Sequence, residues 1–204
     1  MIFRDALIQK IGRADFEKLQ RIKVGLAGAG GLGSNCAMNL IRSGFPGLKI
    51  FDYDKVEPGN LDRQFYFADQ VGMNKVDALK QNLLRINPSA NLEIAAIRLA
   101  KDNYAAVFSD CHVVAECLDL PEEKSALVAS LLPLNKMIIS VSGLGGYGRS
   151  DEIMVHTIKE SLIIIGDLRS DVITEPALSP RVNIAAAKQA DVILEYVCCR
   201  MPPL

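Results

Sequence analysis

Residues 22–33 read IKVGLAGAGGLG, and the fold is decided there. An apolar β-type run, Ile22–Ala27, breaks at Gly28, Gly30, Gly31 and Gly33 into a helical pattern over Leu32–Ser43, which Gly44 and Pro46 end. A strand, a glycine turn and a helix in that order hold a nucleotide's phosphates at the helix N-terminus. About twenty residues beyond the turn, Asp52 and Asp54 close the next apolar run, Leu48–Tyr53, where an acid reaches a ribose hydroxyl. Turns of this kind serve dinucleotide, adenylate and methyl-donor binders alike, so the ligand is still open at this point.

Working outward, β and α patterns alternate with short joins. The helix Asn74–Arg85 stops before Asn87 and Pro88, and Leu92–Ile97 is the third strand. A short helix over 102–109, a fourth strand Val113–Leu118 ending in Asp119, a helix Glu122–Leu132 and a fifth strand Met137–Val141 follow. The expected fold class is α/β: a Rossmann-like, doubly wound, mainly parallel sheet whose ligand crevice lies beyond the strands' carboxyl ends. Ile153–His156 and Leu162–Ile165 read as antiparallel strands added near the C-terminus. Ahead of the core, residues 1–21 form a helical arm that carries Arg4, with Ile2, Phe3, Leu7, Ile8, Ile11, Phe16 and Leu19 as its apolar face. Asp167–Val182 reads as a long loop of a length that is usually functional or mobile, and a helix Asn183–Cys199 closes before Pro202 and Pro203. All 204 residues fit one domain.

Half of the chain is hydrophobic and the formal net charge is -1. A phosphate-backbone binder normally carries a clear basic excess, which argues against a nucleic-acid partner. The longest apolar stretches, such as Ser161–Gly166, are strand length, and no basic start precedes a long apolar run. The expectation is a cytoplasmic chain with no membrane contact. Five cysteines, Cys36, Cys111, Cys117, Cys198 and Cys199, form no C-x-x-C pair, so neither a disulfide framework nor a zinc site is expected. They read as buried small apolar residues, with the adjacent Cys198 and Cys199 as candidates for exposure.

The polar candidates share one location. Asp52, Asp54, Asn60, Arg63, Gln64, Lys75 and Asp119 all fall just past a strand's carboxyl end or in the loop that follows. The loop from Lys55 to Phe65, ending in the aromatic cluster Phe65, Tyr66 and Phe67, is too polar to be core. Arg63 and Lys75 flank a helix start and can reach one triphosphate, whose charge needs several cations. Asp119 can hold magnesium between phosphates, or merely cap the next helix. Asp54 can brace its loop. Independent surface residues have no reason to gather at a glycine-turn crevice.

The segments GAGGLGS (28–34), FDYDKVEPGNLDRQF (51–65), GMNKVDAL (72–79) and AECLD (115–119) resemble, in order and spacing, the adenylating domain of the ubiquitin-activating superfamily in its ThiF and MoeB branch. The resemblance covers roughly residues 1–165 and implies the following roles. Gly28, Gly30, Gly31 and Gly33 pack against ATP, and Asp52 binds its ribose. Asn60, Arg63 and Lys75 engage the triphosphate, Gln64 shapes the loop, and Asp119 binds Mg2+. Arg4 reaches into a partner subunit's site, which implies a homodimer. The implied substrate is the C-terminal glycine of a ubiquitin-like sulfur carrier with a Gly-Gly tail, of the ThiS kind used in thiamine thiazole synthesis, threaded under the Asp167–Val182 loop.

Relatives often carry C-x-x-C zinc ligands and a nucleophilic cysteine on the crossover loop, and Asp167–Val182 has none. The expectation is therefore adenylation without a thioester or persulfide on that loop. Adenylation asks for in-line positioning and charge neutralisation rather than a general base, and His112 and His156 read as structural. A molybdopterin-type carrier, or a small-molecule or RNA-borne carboxylate, stays open as acceptor. A nicotinamide oxidoreductase gives Arg63, Gln64 and Lys75 no role, and a non-catalytic nucleotide module is the remaining alternative.

Overall fold

Five parallel strands carry out what the alternating pattern dictates: β1 (Lys23–Ala27), β2 (Gly47–Phe51), β3 (Asn91–Ala95), β4 (Val113–Glu116) and β5 (Met137–Val141). With β6 (Met154–Lys159) and β7 (Leu162–Gly166) they form one sheet in the order β3-β2-β1-β4-β5-β7-β6, antiparallel only between β6 and β7. The structure is a computed structural model that describes residues 2–201; Pro202 and Pro203, read above as following the last helix, lie outside them, as does the side chain of Ile2.

The central strands β1, β4 and β5 are buried on both faces, so they read as continuous apolar runs rather than alternating ones. Along β4, Val113 and Ala115 face α3 (Gly31–Ser43), α4 (Lys75–Ile86) and α7 (Ser179–Glu195). Val114, between them, faces α5 (Tyr104–Val107) and α6 (Pro121–Leu131), as do Ala27 and Phe51. Phe51 meets Phe108 edge to face at 5.3 Å, and the absence of a side chain on Gly25 makes room for that ring: a Cβ there would stand 2.5 Å from it. The arm consists of α1 (Ile2–Ile11) and α2 (Arg13–Gln20), with Phe16 and Leu19 buried.

Strand order reverses between β1 and β4, which opens the crevice where a doubly wound sheet binds ligands. Several boundaries differ from the sequence reading. β2 ends at Phe51 and β4 at Glu116, so Asp52 and Cys117 already belong to the crevice loops. β3 ends at Ala95, the 102–109 helix shrinks to α5, α6 starts at Pro121, and β6 runs on to Lys159 at an uncovered sheet edge with Met154, Val155 and Ile158 exposed. α7 begins at Ser179, with Pro180 in its first turn, so the loop before it is Asp167–Leu178 and not Asp167–Val182. The last helix ends as a π turn over Tyr196–Arg200, which leaves Cys198 half-buried and Cys199 exposed while Cys36, Cys111 and Cys117 are buried. Among the described residues no helix is long and apolar enough to cross a membrane.

Candidate functional site

The glycine turn is shaped by close approach. Gly28 has φ +102, and a Cβ on it would meet the Cys117 carbonyl oxygen at 2.7 Å. A Cβ on Gly33 would fall 1.9 Å from the Gly28 oxygen, so Gly33 lets α3 press onto the turn and lies behind the cavity rather than in its wall. Gly31 is hemmed by Val182 at 3.0 Å and by the Arg63 stem at 3.6 Å. Gly28, Gly30 and Gly31 line a half-open cavity of about 970 Å³, at the top of the range for small-molecule sites, together with Asp52, Asp54, Asn60, Arg63, Gln64, Lys75 and Asp119. The sequence candidates therefore converge, Gly33 and Arg4 excepted.

Asp52 sits just past β2 and is already bonded on both oxygens: Oδ2 accepts from the Ala29 N–H at 2.7 Å and Oδ1 from the Asp54 N–H at 2.8 Å. Burial raises its pKa, and the two N–H donors oppose that shift. The carboxylate thus braces the glycine turn and keeps lone pairs free for hydroxyls. Lys75 opens α4, is almost buried, and pairs with Asp54 at 2.7 Å, so Asp54 braces a cation as well as its loop. Arg63 bonds Asp62 at 2.7 Å and the Gly59 carbonyl at 3.1 Å, while Asn60 closes its turn by accepting from the Glu57 N–H at 3.0 Å. Gln64 lies 3.9 Å from the Cβ position of Gly30, and its buried Oε1 has no hydrogen-bond partner among the described residues. An orphaned acceptor beside a phosphate turn is a place for a ligand's donor.

Asp119 is exposed in the cavity wall and takes no hydrogen bond from a described residue. The cap position of α6 is Leu120, with no side-chain cap bond, so the capping reading of Asp119 falls. Among the described residues no group of three or more His, Cys, Asp or Glu could enclose a metal. A single free carboxylate beside phosphates suits magnesium, which uses one or two carboxylates plus substrate oxygens. Arg4 lies outside this cavity, 5.7 Å from the Phe16 ring on its own arm.

Sequence reasoning missed what holds the site together. Tyr66, assigned to a loop too polar for the core, is buried with Val56: its hydroxyl donates to the Ala29 carbonyl at 2.6 Å and lies 3.3 Å from that of Lys75. Beneath Asp119, the fully buried Glu116 accepts from the Leu118 N–H at 2.7 Å, the Ser140 hydroxyl at 2.6 Å and Lys124 at 2.8 Å. A charged residue inside an otherwise apolar strand was the available signal. His112 accepts from the Lys23 N–H at 3.1 Å and His156 bonds the Gly166 carbonyl at 3.0 Å, and neither lines the cavity. Burial pushes the Cys36 and Cys111 thiols up to about 12 and Cys117 upward too, which makes them poor nucleophiles.

The ThiF family model matches residues 3–194. The chain belongs to the ThiF family. Over 133 residues it is 35% identical to the adenylyltransferase and sulfurtransferase UBA4 of Candida glabrata, covering 65% of this chain and 31% of that protein. Over 87 residues it is 44% identical to ubiquitin-like modifier-activating enzyme 5 of Arabidopsis thaliana, covering 42% of this chain and 20% of the relative. The matches thus span under a third of these curated relatives. In three dimensions this ThiF-family chain superposes on E. coli tRNA N6-threonylcarbamoyladenosine dehydratase, TcdA, solved with AMP. The TM-score is 0.87 at 20% identity over 95% of this chain and 93% of that one. E. coli MccB with ATP gives 0.72 at 22% identity over 93% and 59%. At such identities the likeness is one of fold.

Proposed function

We propose that this ThiF-family chain transfers AMP from ATP to a carboxylate, the C-terminal glycine of a ubiquitin-like carrier. The observation that carries this reading is the single cavity in which the glycine turn, Asp52, Arg63, Lys75 and Asp119 meet. Asp52 orients the ribose, and the turn's backbone approaches the phosphates. An acceptor carboxylate oxygen attacks the α-phosphorus, the bond from that phosphorus to the bridging oxygen breaks, and pyrophosphate leaves. No proton moves, so no general base is needed. Arg63 and Lys75 leave Asp62 and Asp54 to neutralise the departing pyrophosphate, where stabilisation counts most. Asp119 would hold a magnesium ion against the phosphates, which supplies further neutralisation.

The names UBA4 and ubiquitin-like modifier-activating enzyme 5 support a ubiquitin-like acceptor as the partner class. Within that class a ThiS-like sulfur carrier is our first choice, and thiamine thiazole synthesis the corresponding setting. Arg4, remote from its own cavity, serves the partner protomer's site in a homodimer.

Carrier-dependent exchange of pyrophosphate into ATP tests this. Arg63→Ala and Asp119→Ala are each expected to lower exchange by about two orders of magnitude with the circular dichroism unchanged. Normal exchange in both removes the site. Mixing Arg4→Ala with Asp119→Ala chains restores activity if protomers share sites. Running a molybdopterin-type carrier and tRNA beside ThiS in the same assay separates the acceptors.

A further inference from the structure

The sheet order gives the cavity two ends. Asp52, Tyr53, Ile97 and Leu99 follow β2 and β3 on one side of the glycine turn, and Ser142–Leu144 and the 170–178 loop follow β5 and β7 on the other. With the ribose acid on the β2 side, the β5–β7 end remains for the group that attacks the α-phosphorus. Ser170, Asp171, Val172, Ile173, Pro176 and Leu178 wall that end.

What fixes this wall is a buried cation. Arg181, in the first turn of α7, is 1% exposed; one guanidinium nitrogen donates to the Gly148 and Arg149 carbonyls at 3.1 and 3.2 Å, and another to Asp167 Oδ2. Asp167, its side chain 3% exposed, uses Oδ1 to accept from the Arg169 and Ser170 N–H groups at 2.9 and 2.8 Å. One ion pair therefore joins α7, the 148–149 turn and the start of the wall. Two non-glycine residues held at positive φ, Leu168 at 59° and Arg149 at 47°, flank it, and such backbone persists only where surrounding bonds over-determine it. Gly143 packs so closely that a Cβ on it would stand 2.1 Å from Asp167 Oδ1. A buried pair is a poor way to gain stability and a good way to fix one geometry. Val182, next to Arg181, touches the Cβ position of Gly31, so α7 carries both the latch and part of the nucleotide wall.

We propose that Arg181 and Asp167 form a latch that positions the loop Leu168–Leu178 for the incoming carboxylate, making both positioning residues for the acceptor and not for ATP. The assignment of that end to an acceptor rests on the function proposed above.

Asp167→Asn keeps an acceptor for the two N–H groups and removes the charge; Arg181→Lys keeps the charge and loses the fork. Two readouts test them: amide hydrogen exchange of residues 168–178, and the split between acceptor KM and ATP affinity. In either variant the loop amides are expected to exchange about tenfold faster with the β1 and α3 amides unchanged. The acceptor KM rises about tenfold while ATP affinity stays within about twofold. Unchanged loop exchange in a folded variant, or an equal loss of ATP affinity, overturns the latch. In the wild-type chain the Arg169 and Ser170 amides are expected to be as protected as those of α7, which decides the matter even if a variant fails to fold; free-loop rates there also overturn it. Silence of the wild-type chain in pyrophosphate exchange condemns the functional reading alone, because amide rates judge the latch independently.

Discussion

At the scale of single residues, glycines and acids played different parts. Gly28 and Gly33 were visible in the sequence because only a missing Cβ lets the turn close on Cys117 and on itself. Gly28→Ala places a side chain both at φ +102 and 2.7 Å from a backbone oxygen, two penalties that no side-chain rotation relieves. The expected cost is about 3 kcal/mol in denaturant unfolding, and a change below about 0.5 kcal/mol contradicts this steric account. The gathering of Asp52, Arg63, Lys75 and Asp119 at one cavity was equally legible, since each falls just past a strand's carboxyl end or in the loop that follows. Tyr66 was not, because its partners are main-chain carbonyls, which no side-chain pattern announces. Glu116 was hidden for the opposite reason: it lies in an apolar strand, and its satisfaction by Ser140 and Lys124 depends on contacts 24 and 8 residues away.

Among elements, strand and helix existence followed from periodicity, while boundaries followed from local chemistry that periodicity averages over. The last loop is the plain case. Its composition hid the first turn of α7, although Ser179 followed by Pro180 is a helix-start signal that was there to read. The same loop carries a pH dependence. Burial pushes the Asp167 carboxyl up, but the Ser170 and Arg169 N–H groups and Arg181 outweigh it, and the pKa falls to about 2. A depressed folded-state pKa means the contribution is fully present above the unfolded value, near 3.8, and is lost as pH falls toward about 2. It amounts to about 2 kcal/mol. The stability gap between wild type and Asp167→Asn is therefore expected to shrink by that amount from pH 7 to pH 2 in urea titrations. A gap that stays constant would sink the assignment of this charge.

For the whole molecule, the topology was the most legible property, whereas Arg4, expected to serve a partner protomer's site, lies outside the cavity described above and over the Phe16 ring of its own arm. One feature of the cavity reaches beyond its geometry. The chain carries a formal charge of only -1, yet the cavity is lined by seven carboxylates, among them Asp54, Asp62, Glu123 and Asp171, against four cations, Lys55, Arg63, Lys75 and Lys124. Left alone, such a surplus of carboxylates opposes the entry of a polyanion, and Arg63 and Lys75 offset it only in part because each is paired with an acid. On the adenylation proposed above, ATP would enter this lining more readily as its divalent-metal complex than as the bare anion. Chelating the metal is expected to weaken ATP binding at least about tenfold in calorimetric titration, and not merely to slow turnover; equal affinity with and without chelator would mean that the surplus carboxylates are neutralised by other means. On that proposal the acidic lining would act as a filter, favouring the metal-bound nucleotide over the bare one.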